Sequence, residues 1–173
     1  IAILASQFSE RLVFTTRYNR WRPEERPILM DTLTYGPAEH DPQLCSVPKV
    51  NDAITRSILT KIHRAAPASY RDSDSHVSFY VHRIPYNYIK ALNFVPYFWN
   101  QVDGQKKSED YKPYSLIAQE DENVLLAILN SNLFFWWWYS LFEGYHCGRH
   151  EITAFPVGLE SMDQRIRRKA SDL

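Results

Sequence analysis

The stretch that decides the fold is NVLLAILNSNLFFWWWYSLF, residues 123–142. The acidic residues Asp121 and Glu122 precede it and suit the positively polarised N-terminal end of a helix. The pattern therefore predicts one long helix from about 123 to 141, ending before Gly144. Residues 136–139 are consecutive aromatics, and successive helical residues lie about 100° apart, so they cannot all face one core. We interpret this helix as buried on several sides between sheets, in preference to a base-stacking role.

Short strand-like segments surround this helix. Aromatic and β-branched residues before the long helix predict strands over 77–84, 86–92, 94–99 and 114–118. After the long helix, a last strand is predicted over 151–157 and a basic terminal helix over 162–170. The polar segment 101–112, around Gly104, predicts an exposed loop. The fold class is therefore α+β, with a small mixed sheet and a long aromatic-rich helix.

A β-hairpin and linker helices are predicted before this part of the chain. Strand patterns at 1–4 and 11–18 form the hairpin, and Pro23 opens a short helix to about Leu33. Residues 36–49 show no periodicity and are interpreted as a linker. We expect Asn51 to cap a helix over 52–64, with one apolar stripe formed by Ile54, Ile58, Leu59 and Ile62.

The predicted divisions follow from these changes of texture. Residues 1–35 are the end of a preceding domain, and residues 36–66 are a linker with a helix. Residues 67–158 form the main domain, and residues 159–173 form a basic terminal helix. An isolated hairpin buries too little surface to be stable, so we expect residues 1–35 to expose an apolar face. Their unpaired edges can recruit a second copy of the chain.

Composition limits the classes of function. Of 173 residues, 20 are Lys or Arg and 20 are Asp or Glu, so any argument for nucleic acid must rest on local patches. The two cysteines, Cys45 and Cys147, are too few and too distant for a disulfide framework. The start does not resemble a signal peptide, and because it lacks Met and lies within an apolar run, we expect a piece of a longer protein. The longest apolar run, 125–142, is interrupted by polar residues and falls short of a membrane span. We expect a cytoplasmic location.

Motifs of catalysis and cofactor binding are absent from the sequence. No glycine-rich loop follows a strand pattern, and no Asn-Pro-Pro-aromatic tetrapeptide, zinc spacing or nucleophile elbow occurs. We therefore assign no catalytic, cofactor-binding or metal residue. The cluster HCGRH at 146–150 lacks a second ligand pair, unless His40 or Cys45 supplies one, and a turn near a binding surface is the preferred interpretation.

Several stretches resemble one protein family. The helix LAILNSNLFFW at 126–136 is followed roughly twenty residues later by ITAFPV at 152–157, and RLVFTTRYNRWRPEER occupies 11–26, with SVPKV at 46–50. Their order is similar to the C-terminal part of Taq/Eco57-type adenine-specific DNA methyltransferases: the end of the catalytic domain, a linker and the target-recognition domain. The resemblance implies a restriction-modification protein whose S-adenosylmethionine and catalytic motifs lie elsewhere in the same polypeptide. We expect no methyl transfer from this segment alone.

Double-stranded DNA is the partner that this resemblance implies. Cations must meet phosphates, while polar or aromatic groups must reach base edges. Residues that offer both lie within 80–115 and in the turn after the long helix: Arg83, Lys90, Asn100, Gln101, Gln105, Lys106, Lys107, Lys112, Tyr145, His146, Arg149 and His150. The neighbouring carboxylates Asp103, Glu109 and Asp110 favour a merely solvated loop, and Arg165–Lys169 is interpreted as a solvated tail.

Two other classes of function stay open. One is a protein–protein docking module that uses the exposed aromatic residues. The other is a hydrolase built on His146, His150 and a carboxylate such as Glu143 or Glu151. Salt-dependent binding of duplex DNA separates the first from DNA recognition, because phosphate contacts release counterions. A metal analysis addresses the second.

Overall fold

The chain forms two compact units. The structure is a computed structural model that describes residues 2–5, 12–71, 76–108 and 110–172, with the backbone alone for residues 2–5, 12, 106 and 107. Unit 1 comprises Ile1–Ile62 and Trp137–Glu143, and unit 2 comprises His63–Trp136 and Gly144–Leu173. Helices combine with small antiparallel sheets, which confirms the predicted α+β class. The sheets are antiparallel rather than mixed.

The sheet of unit 1 contains the predicted hairpin. Strands β1 (Ala2–Ala5) and β2 (Leu12–Thr15) pair antiparallel, and β3 (Gly36–Ala38) pairs with the other side of β2. The sequence had placed residues 36–38 in a linker, so this strand is a correction. Three residues containing a proline give no strand pattern, and proline is tolerated here because β3 is an edge strand. At Gly36 a Cβ would lie 2.1 Å from the Asn51 carbonyl oxygen, so only glycine permits this packing.

The helices of unit 1 follow the predicted order. A 3₁₀ turn (Pro23–Ile28) leads into α1 (Leu29–Thr32), and α2 spans Ala53–Ile62. Asp52, not Asn51, caps α2, because its Oδ1 accepts the N–H of Thr55 at 2.9 Å. The apolar stripe is only partly buried, since Leu59 is buried whereas Ile54 is 74% exposed.

The described residues of unit 2 include five short strands arranged as two sheets. They are β4 (Phe79–His82), β5 (Ala91–Leu92), β6 (Tyr97–Asn100), β7 (Gly104–Lys107) and β8 (Tyr111–Tyr114). The order β5-β4-β8 makes one antiparallel sheet, while β6 and β7 form a separate two-stranded ribbon. Residues 104–107 and 111–112 of the loop predicted over 101–112 are therefore strand. Its polar residues hid the pattern, because neither strand of a ribbon exposed on both faces needs apolar alternation.

The helix predicted over 123–141 is two helices. These are α3 (Glu122–Leu129) and α4 (Asn132–Leu141), and they are bent by 71°. Asn130 ends α3, and the Ser131 hydroxyl accepts the N–H of Phe134 at 3.4 Å as α4 begins. Asparagine and serine bond the backbone locally, and here that tendency breaks the helix. Trp137 and Trp138 are fully buried, which favours the structural interpretation of the aromatic run over base stacking.

The last segment differs from its predicted structure. The strand expected over 151–157 is wrong, because α5 covers Arg149–Ala154. Glu151 Oε2 accepts the N–H of Gly148 at 2.8 Å, half of a capping box that begins this helix. The predicted basic helix is confirmed as α6 (Gln164–Ser171), capped by Asp163, whose Oδ1 accepts the N–H of Arg165 at 2.8 Å.

Candidate nucleic-acid interface

Arg83 joins three segments of unit 2. Its backbone N–H donates to the Asp110 carbonyl at 2.9 Å, and its carbonyl accepts the N–H of Cys147 at 2.8 Å. Its guanidinium Nε also donates to Asp110 Oδ1 at 3.2 Å. The end of β4 therefore holds the start of β8 and the turn 145–150 together. We call this group, with Lys90 and Lys112, the β4 junction.

Two lysines flank this junction. The carbonyl of Lys90 accepts the N–H of His82 at 3.0 Å, and its ammonium lies 5.4 Å from the centroid of the Tyr88 ring. Lys112 pairs with Val81 in the ladder between β4 and β8 and is exposed. Lys90, just before β5, and Lys112, in β8, thus lie on either side of β4, while Asp110 offsets the charge of Arg83 locally.

The turn at 145–150 contributes exposed polar and aromatic groups. Tyr145 is 58% exposed, and its ring centroid lies 4.5 Å from that of His146. Arg149 and His150, both exposed, are the first two residues of α5. Cys147 is buried, and burial is the main factor that raises the pKa of its thiol. The structure therefore brings Arg83, Lys90, Lys112 and this turn together around the end of β4.

The ribbon of β6 and β7 exposes a run of aromatic residues. Tyr97, Phe98 and Trp99 are 72%, 40% and 55% exposed. The ladder pairs them with Lys107, Lys106 and Gln105, in that order. The sequence predicts a strand at 94–99 that contains these aromatic residues, and the structure adds that their rings are exposed. The usable signal was three successive aromatics shortly before a glycine turn, which no alternating pattern can bury on one face.

Asn100 closes the turn of the ribbon. Its Oδ1 accepts the N–H groups of Val102 and Asp103 at 2.9 and 2.7 Å, and its Nδ2 donates to Asp103 Oδ2 at 2.9 Å. Asn100 is therefore a turn residue rather than a reader of adenine. Gln101 and Gln105 are exposed and keep that predicted role, while Lys106 and Lys107 lie on β7 by register.

The glycines and ligating residues do not fit the cofactors considered. Gly36 packs on Asn51, Gly148 caps α5, and the remaining described glycines lie in turns with positive φ, so none forms a nucleotide-binding loop for S-adenosylmethionine. Within the described ranges, no group of three or more His, Cys, Asp or Glu side chains could hold a metal ion. Two cavities of unit 2 measure about 210 and 240 Å³, below the usual range of small-molecule sites.

No single helix in the described part of the chain has both the length and the apolar composition needed to cross a membrane.

In comparisons with known proteins, no family model, no curated protein and no solved structure matches this chain.

Proposed function

We propose that the chain is the DNA target-recognition part of an adenine-specific DNA methyltransferase of a restriction-modification system. Unit 2 would bind duplex DNA. The observation that carries the proposal is the β4 junction, where hydrogen bonds to Arg83 hold cations and exposed aromatics from distant segments on one scaffold. In recognition sites, the binding residues typically lie on loops that a rigid framework holds in position.

The division of roles follows from the chemistry of the side chains. Lys90 and Lys112 would meet phosphates, which gives affinity without sequence preference. Arg149 at the start of α5, together with Gln101 and Gln105, offers the planar donors that distinguish guanine and adenine edges. A two-stranded ribbon has dimensions that the major groove admits, and this supports a part for β6 and β7 in the same complex.

The catalytic step belongs to another part of the same polypeptide in this proposal. S-adenosylmethionine would bind there and supply the methyl group. The contribution of the present segment is to hold the duplex at its recognised site. The proposal places the protein in the cytoplasm, where genomic DNA is accessible to it.

Selection of bound duplexes from a randomised library tests sequence-specific recognition. We expect one short motif to be enriched. Arg149→Ala should lower discrimination at one position by about 1–3 kcal/mol, the usual value of a guanine contact. Arg168→Ala, an exposed arginine of α6, is the matched control and should leave the motif unchanged. Binding without enrichment of any motif would contradict target recognition.

A protein-docking module is the second candidate. It is favoured by exposed apolar side chains, chiefly Val102 at the ribbon tip, which is 92% exposed, and Met30 in α1, which is 67% exposed. Self-association through the edge strand β1 belongs to this candidate. Light scattering over a range of concentrations tests it: a mass that stays at that of one chain contradicts self-association.

A further inference from the structure

We propose that the face of the ribbon carrying Tyr97 and Trp99 binds single-stranded nucleic acid by stacking bases on these two rings. The proposal deepens the proposed function, because it takes unit 2 to be a nucleic-acid-binding unit and adds a second form of substrate.

The register defines this face. Residues paired directly across an antiparallel ladder lie on the same side of the sheet, and residues two apart on one strand share a side. Tyr97, Trp99, Gln105 and Lys107 therefore occupy one face, and Phe98 and Lys106 the other. Tyr97 and Trp99 are 72% and 55% exposed, so their rings are available to a ligand.

The spacing of the two rings suits nucleobases. Two residues along a strand span about 6.8 Å, which is twice the separation of about 3.4 Å between stacked bases. An extended single strand can therefore place bases against both rings. Aromatic side chains accept any base in this way, because every base presents a π face.

The pairing across the ribbon favours nucleic acid over a protein partner. Each aromatic residue of β6 is paired with a polar or cationic residue of β7: Tyr97 with Lys107, Phe98 with Lys106, and Trp99 with Gln105. Interleaved cations complement a phosphate backbone, whereas the core of a protein interface is depleted of charge.

The ribbon is also prepared for binding. Asn100 fixes the turn with three hydrogen bonds, and Gly104 adopts φ +67° there, so little conformational freedom remains to be lost. Within the described residues, β6 and β7 make ladders only with each other.

Fluorescence anisotropy with labelled single-stranded oligothymidylate, and with a duplex of equal length, tests this inference. We expect the wild-type chain to bind the single strand and Trp99→Ala to weaken that binding by about 5- to 100-fold, the range for loss of one stacked base. Trp99→Phe should restore most of the affinity. Trp21→Ala removes a tryptophan of unit 1 that is similarly exposed, at 51%, and should leave the affinity unchanged.

The two arms separate this inference from the proposed function. Binding of duplex without binding of the single strand overturns the inference and leaves the function standing, whereas binding of neither contradicts both. Single-strand binding that Trp99→Ala leaves intact lies elsewhere on the chain and also overturns the inference. The inference is also overturned if the wild-type chain does not bind the single strand and Trp99→Ala abolishes self-association. In that case the ribbon would be a contact between two copies of the chain.

Discussion

At the scale of single residues, the side chain of Asn130 connects the break between α3 and α4 to the sheet of unit 2. Its Nδ2 donates to the Ala91 carbonyl at 2.8 Å, and its Oδ1 accepts the Ala91 N–H at 3.0 Å. The side-chain amide thus pairs with the edge strand β5 as a further strand would. Asn130 lies in the stretch LAILNSNLFFW at 126–136, and its observed role is to hold the sheet of unit 2.

Replacing Asn130 should therefore destabilise unit 2. Asn130→Ala leaves the Ala91 peptide without either partner, and we expect a loss of about 1–3 kcal/mol in the free energy of unfolding. Asn130→Asp should also be destabilising, because a carboxylate cannot donate to the Ala91 carbonyl. Urea denaturation followed by circular dichroism measures both. Asn123→Ala, at an exposed position of α3, is the control, and an equal loss there would contradict the role of Asn130.

The two thiols should differ in reactivity. Cys45 is exposed, whereas Cys147 is 1% exposed and burial raises the pKa of its thiol, so little reactive thiolate forms there. Titration with a thiol reagent should modify one cysteine in the native chain and both in denaturant. Cys45→Ser should abolish the native reaction. Rapid modification of native Cys45→Ser would show that Cys147 is accessible.

At the scale of elements, a largely buried ion pair attaches α6 to the rest of unit 2. Arg167 of α6 contacts Asp121, at the start of α3, and donates to the Leu159 carbonyl at 2.7 Å. Their side chains are 17% and 7% exposed. A buried pair of this kind is sensitive to loss of either partner, because the other charge is left without compensation.

Arg167→Ala should cost about 3–5 kcal/mol of stability. The neighbouring Arg168→Ala removes an exposed cation and should change stability by less than about 0.5 kcal/mol. Denaturation midpoints give both values. Replacing the pair together with Arg167→Met and Asp121→Leu should recover part of the loss, since no buried charge remains. Equal effects of Arg167→Ala and Arg168→Ala would show that α6 is held by something else.

Elements with local signals were predictable from the sequence. The hairpin, the short helix opened by Pro23, α2 and α6 all carry caps or periodic apolar residues that specify them. The break at Asn130, the strand β3 and the helix α5 were not predicted, because each depends on contacts remote in sequence or on a cap within an apolar pattern. Helix Arg149–Ala154, for example, begins on the Gly148–Glu151 capping box, whereas its apolar residues resemble a strand.

The candidate site was predictable in its residues more than in its arrangement. Sequence indicated the candidate cations and the turn 145–150 from their residue types alone. It could not show that Arg83 joins them, because that junction consists of backbone hydrogen bonds between segments far apart in sequence. Nor could it show that Asn100 is occupied within its own turn.

At the scale of the whole molecule, the residues assigned to DNA all lie in unit 2. Unit 1 contains its own stabilising connections. The ammonium of Lys49 donates to the carbonyls of Tyr139 and Phe142 near the end of α4, and the Thr15 hydroxyl donates to the carbonyls of Pro48 and Val50. We therefore expect changes in unit 1 to alter stability, and changes on the ribbon and the β4 junction to alter binding.

Gly36→Ala tests this separation from the side of unit 1. The added Cβ would collide with the Asn51 carbonyl, which lies 2.1 Å from its position, so we expect a loss of about 1–3 kcal/mol in stability. DNA affinity of the folded fraction should stay unchanged. Glu39→Ala, an exposed change just after β3, is the control. A Gly36→Ala protein of normal stability would contradict the packing of β3.

The salt dependence of duplex binding tests the central claim most directly. Anisotropy of a labelled duplex, measured from about 50 to about 200 mM salt, should give an affinity that falls steeply as the salt concentration rises. The reason is that contacts to phosphates release counterions from the DNA. Lys106→Ala with Lys107→Ala should weaken binding to all duplexes alike and flatten the logarithmic slope by up to about two. The control, Lys61→Ala with Lys169→Ala, removes two exposed lysines outside the proposed face and should leave the slope unchanged. Salt-independent binding, or equal effects of the two pairs, would contradict DNA recognition by unit 2.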